Sequence, residues 1–305
     1  MTATIPTFSA QQTAGLLRFP ELVGAIATAC LDYAAGSIQA PERQVLAFPN
    51  GGVMLSMPAT AADIGIHKLV NVFTGNSAKG VPVINGVVTA YSGETGETLF
   101  ALDGPTLTAR RTAAVSMLGL KTFLSSAPQR VALIGTGAQA VGHVEALAAV
   151  FPQVKLIVVG SSLEKAQRFI AAFTTPPLVM QASEHVPDDV DAVITLTTSH
   201  APVYTKPAVS QCLVIGVGAF KPELAEIGAP TLHGSQIYVD DPAGARHEAG
   251  DLIQAQVQWD RVKGLSDALA QGVDFTQPIV FKTVGCAAWD LAAARCAHAA
   301  LNTGR

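Results

Sequence analysis

The stretch Val131-Ala132-Leu133-Ile134-Gly135-Thr136-Gly137-Ala138-Gln139-Ala140 decides the fold of this chain. Its apolar first part predicts a buried strand, and a glycine-rich turn follows without a gap and opens a predicted helix. Gly135 permits the tight turn, Gly137 lets the backbone approach a pyrophosphate, and Ala140 lets helix and strand pack closely. The first N–H groups of the helix can then bind phosphates. We therefore predict an oxidoreductase that binds a nicotinamide dinucleotide here, the alternative being a structural turn that needs small residues only for packing.

Strands and helices alternate on the carboxyl side of this turn. Apolar runs predict strands at residues 130–134, 155–159, 190–196, 213–217 and 237–239, and helices at 138–150 and 163–173. Alternation at this spacing is typical of a doubly wound parallel sheet. We therefore predict an α/β protein with a dinucleotide-binding Rossmann domain at residues 119–285.

The amino-terminal part has a different pattern. Residues 12–36 carry apolar side chains at helical spacing, and Gly36 is a plausible stop. From Gln44 to Leu102, short apolar runs alternate with turn signals, which predicts an antiparallel sheet of hairpins. The turn signals are residues 49–52, 85–86, 92–96 and 103–104. Helices are predicted at 106–125 and 285–301, and the last of them can return to the first domain, which we place at residues 1–118 with 286–305.

The composition excludes several classes of protein. Of the 305 residues, 49% are hydrophobic and 14% charged, which suggests surface buried in an oligomer, and no run of residues reads as a membrane span. A net charge of −4 without a Lys/Arg cluster argues against nucleic acid or an anionic membrane as partner. The amino terminus lacks the pattern of a secretory signal. We therefore expect a cytoplasmic protein.

The four cysteines point to the same compartment. Cys30, Cys212, Cys286 and Cys296 have no metal-ligand spacing, and the seven histidines are scattered. We expect buried thiols in a reducing environment and no metal site.

The residues after the second Rossmann strand bear on the choice of cofactor. An NAD-preferring site usually has Asp or Glu here, to accept hydrogen bonds from the ribose 2′-hydroxyl. This chain has Gly160-Ser161-Ser162 instead, with Lys165 and Arg168 close by in sequence. A glycine and two hydroxyls tolerate a 2′-phosphate, so we predict NADPH, with NADH as a possible second cofactor. The alternative is that these serines merely cap a helix.

Arg43, Lys68 and Arg111 stand in apolar or small-residue surroundings. A single basic residue is usually solvated, but a lysine within an apolar strand needs a partner for its charge. A substrate carboxylate is one such partner, and a guanidinium binds a carboxylate in bidentate fashion. We predict that these three residues bind a carboxylate.

A series of short motifs, in order along nearly the whole chain, resembles the ornithine cyclodeaminase/μ-crystallin family. The motifs are Pro41-Glu42-Arg43, Met57-Pro58-Ala59, His67-Lys68-Leu69-Val70-Asn71, Gly75-Asn76, Gly80-Val81-Pro82, Glu94-Thr95-Gly96-Glu97, Leu107-Thr108-Ala109, Arg111-Thr112-Ala113-Ala114, Gly135-Thr136-Gly137-Ala138-Gln139, Val239-Asp240-Asp241 and Phe281-Lys282-Thr283-Val284-Gly285. The resemblance implies a Rossmann domain and an α+β substrate domain with a mixed or antiparallel sheet. It also implies a homodimer formed through the substrate domains.

The resemblance also assigns roles to individual residues. It places the carboxylate-binding cations at Arg43, Lys68 and Arg111. It implies dinucleotide contacts at Arg111, Ala138, Gln139, the Ser161 region, Thr197 and the strand end at Val217. The predicted cofactor-binding residues also include Thr112, Gly135, Thr136, Gly137, Ser162 and Thr283.

Two positions depart from the cyclodeaminases of that family. Those enzymes carry a glutamate before the Met-Pro dipeptide and an aspartate after a Rossmann strand, where this chain has Leu55 and Phe220. Cyclodeamination needs a positioned base, which neither residue can supply. Reduction of a preformed cyclic imine needs no such base from the protein, because a protonated imine is already electrophilic. The departures therefore resemble the ketimine reductase branch, with Leu55 and Phe220 as an apolar wall around a ring.

This branch reduces Δ1-pyrroline-2-carboxylate to L-proline, and possibly Δ1-piperideine-2-carboxylate to L-pipecolate. The resemblance places that chemistry in bacterial proline metabolism and in the degradation of hydroxyproline or D-amino acids. Lys68 is the predicted catalytic cation. Ser56 and His67 are candidate proton donors or water-positioning groups, with a structural hydrogen bond as the alternative. Three other functions stay open: an amino-acid dehydrogenase such as alanine dehydrogenase, ornithine cyclodeamination, and binding of NADPH and a ligand without turnover.

Overall fold

The chain divides into two units, which are described separately. In the computed structural model, residues 4–175 and 177–303 are described, apart from the side chain of Ser77. One unit comprises residues 1–111 and 286–305, and the other comprises residues 112–285. The division falls inside a helix, between Arg111 and Thr112, whereas the sequence analysis placed it after residue 118.

The elements are numbered along the whole chain. They are β1 (Thr7–Phe8), α1 (Ala10–Leu16), α2 (Phe19–Ala34), β2 (Gln44–Ala47), β3 (Val53–Thr60), β4 (Ile64–Val72), β5 (Ile84–Ser92), β6 (Thr98–Asp103), α3 (Gly104–Phe123), β7 (Arg130–Ile134), α4 (Ala138–Val150), β8 (Lys155–Val159), α5 (Leu163–Ala171), β9 (Val179–Ser183), β10 (Ala192–Thr195), β11 (Leu213–Gly216), α6 (Ala229–His233), β12 (Gln236–Val239), α7 (Pro242–Glu248), α8 (Gly250–Gln254), β13 (Lys263–Gly264), α9 (Leu265–Gln271), β14 (Ile279–Lys282) and α10 (Ala287–Asn302). Short 3-10 helices lie at Thr74–Lys79 and Trp259–Arg261.

The first unit is built on a mixed sheet, as predicted. Its strand order is β1-β6-β5-β4-β3-β2, with β2 to β6 antiparallel and β1 parallel to β6. Helices α2 and α10 pack against each other, and α10 also contacts β3 and β4. One side of the sheet is therefore covered by the carboxyl-terminal helix, which returns to the first unit.

Two of the predicted turns are wrong. Asn85-Gly86 lies inside β5, where a Cβ on Gly86 would come 2.2 Å from the Leu69 carbonyl oxygen. The glycine therefore permits the close approach of two strands rather than a turn. Asp103-Gly104 ends β6 and opens α3, where the Asp103 carboxylate accepts a hydrogen bond from the Thr106 N–H at 2.9 Å. This junction is a helix cap.

The predicted helix at residues 12–36 is in fact two helices. Leu17 and Arg18 leave the helical conformation, and Pro20 then sits in the first turn of α2, where its missing N–H costs nothing. Gly36, with φ of 77°, follows the end of α2 as expected. Among the described residues no single helix is long and apolar enough to cross a membrane, and α1 with α2, bent by 70°, meets that test only as a pair.

The second unit contains the predicted doubly wound sheet. Its eight strands are parallel, in the order β13-β12-β14-β11-β10-β7-β8-β9. The direction of winding reverses between β7 and β10, and ligands of such folds bind at the carboxyl ends of the strands beside this point. Strands β9, β13 and β14 were not predicted from the sequence. The edge strand β9 has the sequence Val-Met-Gln-Ala-Ser, which is not a continuous apolar run. As an edge strand it is also partly open to solvent, and Val179 is 69% exposed.

Candidate active site

The glycine-rich turn joins β7 to α4. Gly135 has φ of 122°, and a Cβ there would lie 2.8 Å from the Leu196 carbonyl oxygen, so both the turn and its neighbour exclude a side chain. Gly137 is the N-cap of α4 and has open space where a Cβ would be. Because a glycine has no side chain, no side chain of the N-cap residue occupies the N–H groups at the start of α4. The start of α4 therefore has room for a ligand to approach its N–H groups.

The residues of this turn fit a dinucleotide. Gln139 lies in the turn, and its Oε1 atom is buried without a hydrogen-bond partner among the described residues. A buried amide oxygen without a partner is costly, and a bound polar ligand would supply one. The other predicted dinucleotide contacts lie near the carboxyl ends of parallel strands or in the neighbouring helix α3: Thr112, Thr136, Ala138, Ser161, Ser162, Thr197, Val217 and Thr283.

A buried histidine supports the turn from inside the unit. The Nδ1 atom of His143 lies 2.8 Å from the Gln139 carbonyl oxygen, which can only accept, so Nδ1 carries the proton. Burial lowers the pKa of His143 to about 4, so the ring is neutral at pH 7. Its Nε2 then accepts a hydrogen bond from Ser116 Oγ at 2.9 Å. This residue, which the sequence analysis did not single out, ties the first turn of α4 to α3.

The serines after β8 have different roles. Ser162 is the N-cap of α5, where its hydroxyl accepts a hydrogen bond from the Lys165 N–H at 3.3 Å, so the capping alternative holds for this residue. Ser161 Oγ accepts a hydrogen bond from Lys165 Nζ at 2.9 Å. Arg168 pairs with Glu164 at 2.5 Å on the exposed side of α5. Of the two nearby cations, Lys165 is therefore the one held beside the end of β8.

The loops after β10 and β11 are fixed by a carboxylate. Glu226 is fully buried, and its carboxylate accepts hydrogen bonds from the N–H groups of Thr197, of Gly218 at 2.5 Å and of Ala219 at 3.2 Å. A Cβ on Gly218 would lie within 1.9 Å of the Thr197 carbonyl oxygen. The two loops thus touch each other, and Glu226 bonds to both.

A second carboxylate fixes the loop after β14. Asp240, at the end of β12, accepts hydrogen bonds from Thr283 Oγ1 at 2.6 Å, from the Val284 N–H at 2.9 Å and from the Gly285 N–H at 2.9 Å. The hydroxyl of Thr283, a predicted dinucleotide contact, therefore donates to Asp240. A ligand would therefore contact the backbone of Thr283, such as its carbonyl oxygen, rather than its hydroxyl.

Two of the predicted cations, Lys68 and Arg111, form ion pairs with Asp290, a residue that was not predicted from the sequence. Lys68 lies on β4, and its Nζ is 2.5 Å from Oδ2 of Asp290 on α10. Arg111 on α3 lies on the other oxygen, with Nε 3.1 Å from Oδ1. All three side chains are buried. The partner that a buried lysine requires is thus supplied by the protein itself, which corrects the expectation that a substrate carboxylate is needed to pair Lys68.

The cluster still carries excess positive charge. Burial lowers the pKa of Lys68 to about 8; the Asp290 charge opposes this shift, and the charges of Arg111 and Arg43 add to it. Arg43, half-buried just before β2, is therefore close enough for its field to reach Lys68. Lys68 and Arg111 share the single carboxylate of Asp290, so this group of three side chains retains one positive charge that a further anion can pair with.

Ser56 and His67 do not belong to this cluster. Successive side chains on a strand point to opposite faces, and β4 alternates so that Lys68 faces the covered side of the sheet and His67 the other. His67 Nε2 and Ser56 Oγ lie 2.9 Å apart and bond to each other. This placement argues against the prediction that either donates a proton to a ligand at Lys68, and it favours the structural alternative.

Leu55 and Phe220, the positions that depart from the cyclodeaminases, lie in different units. Leu55 on β3 is paired with Val70 on β4, so it shares a face with Lys68 and places an apolar side chain on that face. Phe220 follows β11 and is 37% exposed. Its role as part of an apolar wall stays a prediction.

The chain matches known proteins over almost its full length. A sequence model of the ornithine cyclodeaminase/mu-crystallin family matches residues 7–304. The Δ1-pyrroline-2-carboxylate/Δ1-piperideine-2-carboxylate reductase of Azospirillum brasilense is 54% identical over 303 residues, which cover 99% of this chain and 97% of that protein. The Δ1-pyrroline-2-carboxylate reductase 2 of Burkholderia ambifaria is 52% identical, with the same coverage.

A solved structure supports the fold. The Δ1-pyrroline-2-carboxylate reductase of Thermococcus litoralis, in complex with NADH and L-proline, superimposes with a TM-score of 0.87 at 23% sequence identity and covers 98% of both chains.

Proposed function

This chain belongs to the ornithine cyclodeaminase/mu-crystallin family, and on that premise we propose that it is an NAD(P)H-dependent oxidoreductase that reduces a cyclic ketimine carboxylate. The substrates are Δ1-pyrroline-2-carboxylate, which gives L-proline, and Δ1-piperideine-2-carboxylate, which gives L-pipecolate. The Azospirillum brasilense relative carries both compounds in its name.

The observation that carries the proposal is the cluster of Lys68, Arg111 and Asp290. Its two buried cations share one carboxylate, and Arg43 adds a third positive charge nearby. A monocarboxylate bound there meets a net positive field and guanidinium donors. Leu55, on the same face as Lys68, adds apolar surface of the kind that suits a ring.

The chemistry asks the protein for binding and orientation rather than for a base. Lys68 and Arg111 hold the substrate carboxylate, and Asp290 keeps both cations in place. When bound, a reduced nicotinamide would supply the hydride that the imine carbon accepts, and the C=N electron pair would then move to the already protonated nitrogen. Two cations on the substrate carboxylate restrict the orientation of the imine carbon, and such positioning contributes to the rate. Cyclodeamination, in contrast, needs a base that Leu55 and Phe220 do not provide.

The preferred cofactor in this proposal is NADPH, with NADH also accepted. The start of α4 binds the pyrophosphate, and Gln139 offers an unpartnered acceptor. Ser161 and Lys165 lie where the adenosine ribose of a dinucleotide is recognised, and Lys165 brings a positive charge to a 2′-phosphate.

A homodimer is part of the proposal. The sheet face of the first unit that carries Ser56, His67, Leu69 and Val87 has no Asp, Glu, Lys or Arg in the described residues of β2 to β5. Val87 on this face is 36% exposed, and a second copy would cover it. Sedimentation equilibrium tests this, and a monomer at micromolar concentration would contradict it.

The four buried thiols fit a reducing cytoplasm.

An assay of cofactor oxidation tests the reaction. The purified protein is supplied with NADPH or NADH and with either cyclic imine, or with pyruvate and ammonia. The proposal predicts oxidation with the imines and no dependence on ammonia. Oxidation that requires pyruvate and ammonia would instead identify an amino-acid dehydrogenase, for which the same cations would serve. A place in hydroxyproline degradation remains a prediction.

A further inference from the structure

Three charged side chains lie fully inside the second unit, beneath the loops at the carboxyl edge of its sheet. Glu226 and Lys282 are 0% exposed and Asp251 is 1% exposed. Lys282 Nζ lies 2.9 Å from Asp251 Oδ2, and the charge of Lys282 also acts on Glu226. No role was predicted for any of the three from the sequence, and none of them takes part in the proposed reduction.

The surroundings of Glu226 favour its ionised form. Both carboxylate oxygens accept backbone hydrogen bonds, from Thr197, Gly218 and Ala219, and each of these partners can only donate. Burial raises the pKa of Glu226, and Lys282 together with the Thr197 N–H opposes the rise. The three backbone N–H groups are matched by a carboxylate, and protonation of either oxygen would take an acceptor from at least one of them.

The Asp251 carboxylate likewise faces only donors in the contacts of the described residues. Its Oδ1 accepts hydrogen bonds from the backbone N–H groups of Glu226 and of Ile227, the latter at 2.8 Å, and its Oδ2 faces the Lys282 ammonium. Two carboxylates and one ammonium leave one excess negative charge. In a buried setting a charge acts over a longer distance than in water, because little solvent screens it.

The position of this charge in the sheet gives it a consequence. In a doubly wound fold the two halves of a dinucleotide bind on opposite sides of the point where the winding reverses. That point lies between β7 and β10. Under the proposed function, the turn after β7 and the end of β8 would hold the adenosine half, and the loops after β10 and β11, to which Glu226 bonds, would hold the nicotinamide half.

We infer that the excess negative charge of Glu226, Asp251 and Lys282 favours the oxidised, positively charged nicotinamide over the reduced, neutral one. As a hydride leaves, positive charge develops on the ring, and a fixed negative charge lowers the energy of that state. These residues touch the loops rather than the reacting atoms, so they are positioning and electrostatic residues. The inference rests on the proposed nicotinamide cofactor.

The test measures the dissociation constants of NADPH and of NADP⁺ by calorimetry, without any imine. Glu226→Gln removes the negative charge at nearly the same size. We expect the ratio Kd(NADP⁺)/Kd(NADPH) to rise roughly tenfold over that of the wild type, and kcat with the imine to fall. A purely structural role would move both dissociation constants by the same factor.

Asp251→Asn is the second variant. The asparagine keeps an oxygen for the N–H groups of Glu226 and Ile227 but removes one negative charge from the same cluster. It should shift the ratio in the same direction, and it decides the question where Glu226→Gln does not fold. Glu223→Gln, an exposed carboxylate in the same loop, is the control and should leave the ratio unchanged.

The outcomes separate this inference from the proposed function. A wild-type protein that binds neither dinucleotide would refute the proposed function. Binding of both dinucleotides with an unchanged ratio in Glu226→Gln and Asp251→Asn would overturn the electrostatic inference and leave the proposed function standing.

Discussion

The ammonium of Lys68 lies 2.5 Å from the carboxylate of Asp290, and Arg111 binds the other oxygen of the same carboxylate. Because Lys68 is 2% exposed and Asp290 is 0% exposed, this pair is sheltered from the solvent that weakens most ion pairs. The carboxylate holds two cations in place without neutralising both. We consider this arrangement the centre of the site.

Loss of Asp290 should therefore damage both stability and activity. Asp290→Asn leaves two buried cations without a countercharge, and breaking a buried pair in this way costs about 3–5 kcal/mol. We expect the free energy of unfolding in urea to fall by that order, and kcat/KM for the imine to fall with it. Asp63→Asn is a matched control, because Asp63 pairs with Arg295 while 56% exposed. A loss no greater than that of the control would contradict the account.

The activity should fall as the pH rises through about 8. Burial lowers the pKa of Lys68 to about 8, and only the protonated amine attracts a carboxylate. In Lys68→Arg the guanidinium stays charged, so the alkaline fall in kcat/KM should move to higher pH, whereas the titration of the imine itself affects both proteins equally. An alkaline limb that stays in place in Lys68→Arg would refute this assignment.

The same shift has a consequence for stability. The folded-state pKa of Lys68 lies below its ordinary value of 10.5, so between about pH 8 and 10.5 the unfolded chain binds more protons than the folded one. This group therefore makes the free energy of unfolding rise with pH across that window. Below about pH 8, Lys68 is protonated in both the folded and the unfolded chain, so its burial lowers the free energy of unfolding by an amount that does not change with pH.

Lys165 should determine part of the preference for NADPH. Its Nζ is held 2.9 Å from Ser161 Oγ, at the end of β8. Lys165→Met should raise KM for NADPH about tenfold, the worth of one charge-assisted hydrogen bond, and leave KM for NADH nearly unchanged. Arg168→Met is the control, since Arg168 is already paired with Glu164. Equal effects of Lys165→Met on both cofactors would show that Lys165 does not read the 2′-phosphate.

The two glycines of the turn should fail in different ways. Gly135→Ala forces a side chain into a φ of 122° and against the Leu196 carbonyl, so the melting temperature of the protein without ligand should fall. Gly137→Ala meets open space, so the melting temperature should hold while dinucleotide binding weakens. Thermal unfolding combined with NADPH titration separates the two. Normal binding by Gly137→Ala would mean that the ligand does not approach the backbone there.

Local patterns were enough to predict much of the fold. The strands 130–134 and 155–159 and helix α4 were predicted with the bounds that the structure has, because each is a continuous apolar or amphipathic run between turn signals. The break at Leu17 and the edge strand β9 were missed. In these segments the structure depends on a backbone detail or on an edge pairing that leaves little apolar pattern.

The site was harder to predict than the fold. Lys68 and Arg111 stood out because of their surroundings, but Asp290, which lies 179 positions from Arg111, was not singled out from the sequence. Glu226 and Asp251 likewise act through contacts that only tertiary folding creates. His67 and Lys68 are neighbours in sequence, and only the strand register shows that they face opposite sides.

The measurement that tests the central claim most directly is the yield of L-proline per NADPH oxidised with Δ1-pyrroline-2-carboxylate, for the wild type and for Lys68→Met. The account predicts one L-proline per NADPH in the wild type. In Lys68→Met it predicts a strong rise in KM for the imine or loss of turnover, with an unchanged Kd for NADPH. Absence of L-proline from the wild-type reaction, or an unchanged kcat/KM in Lys68→Met, would contradict it.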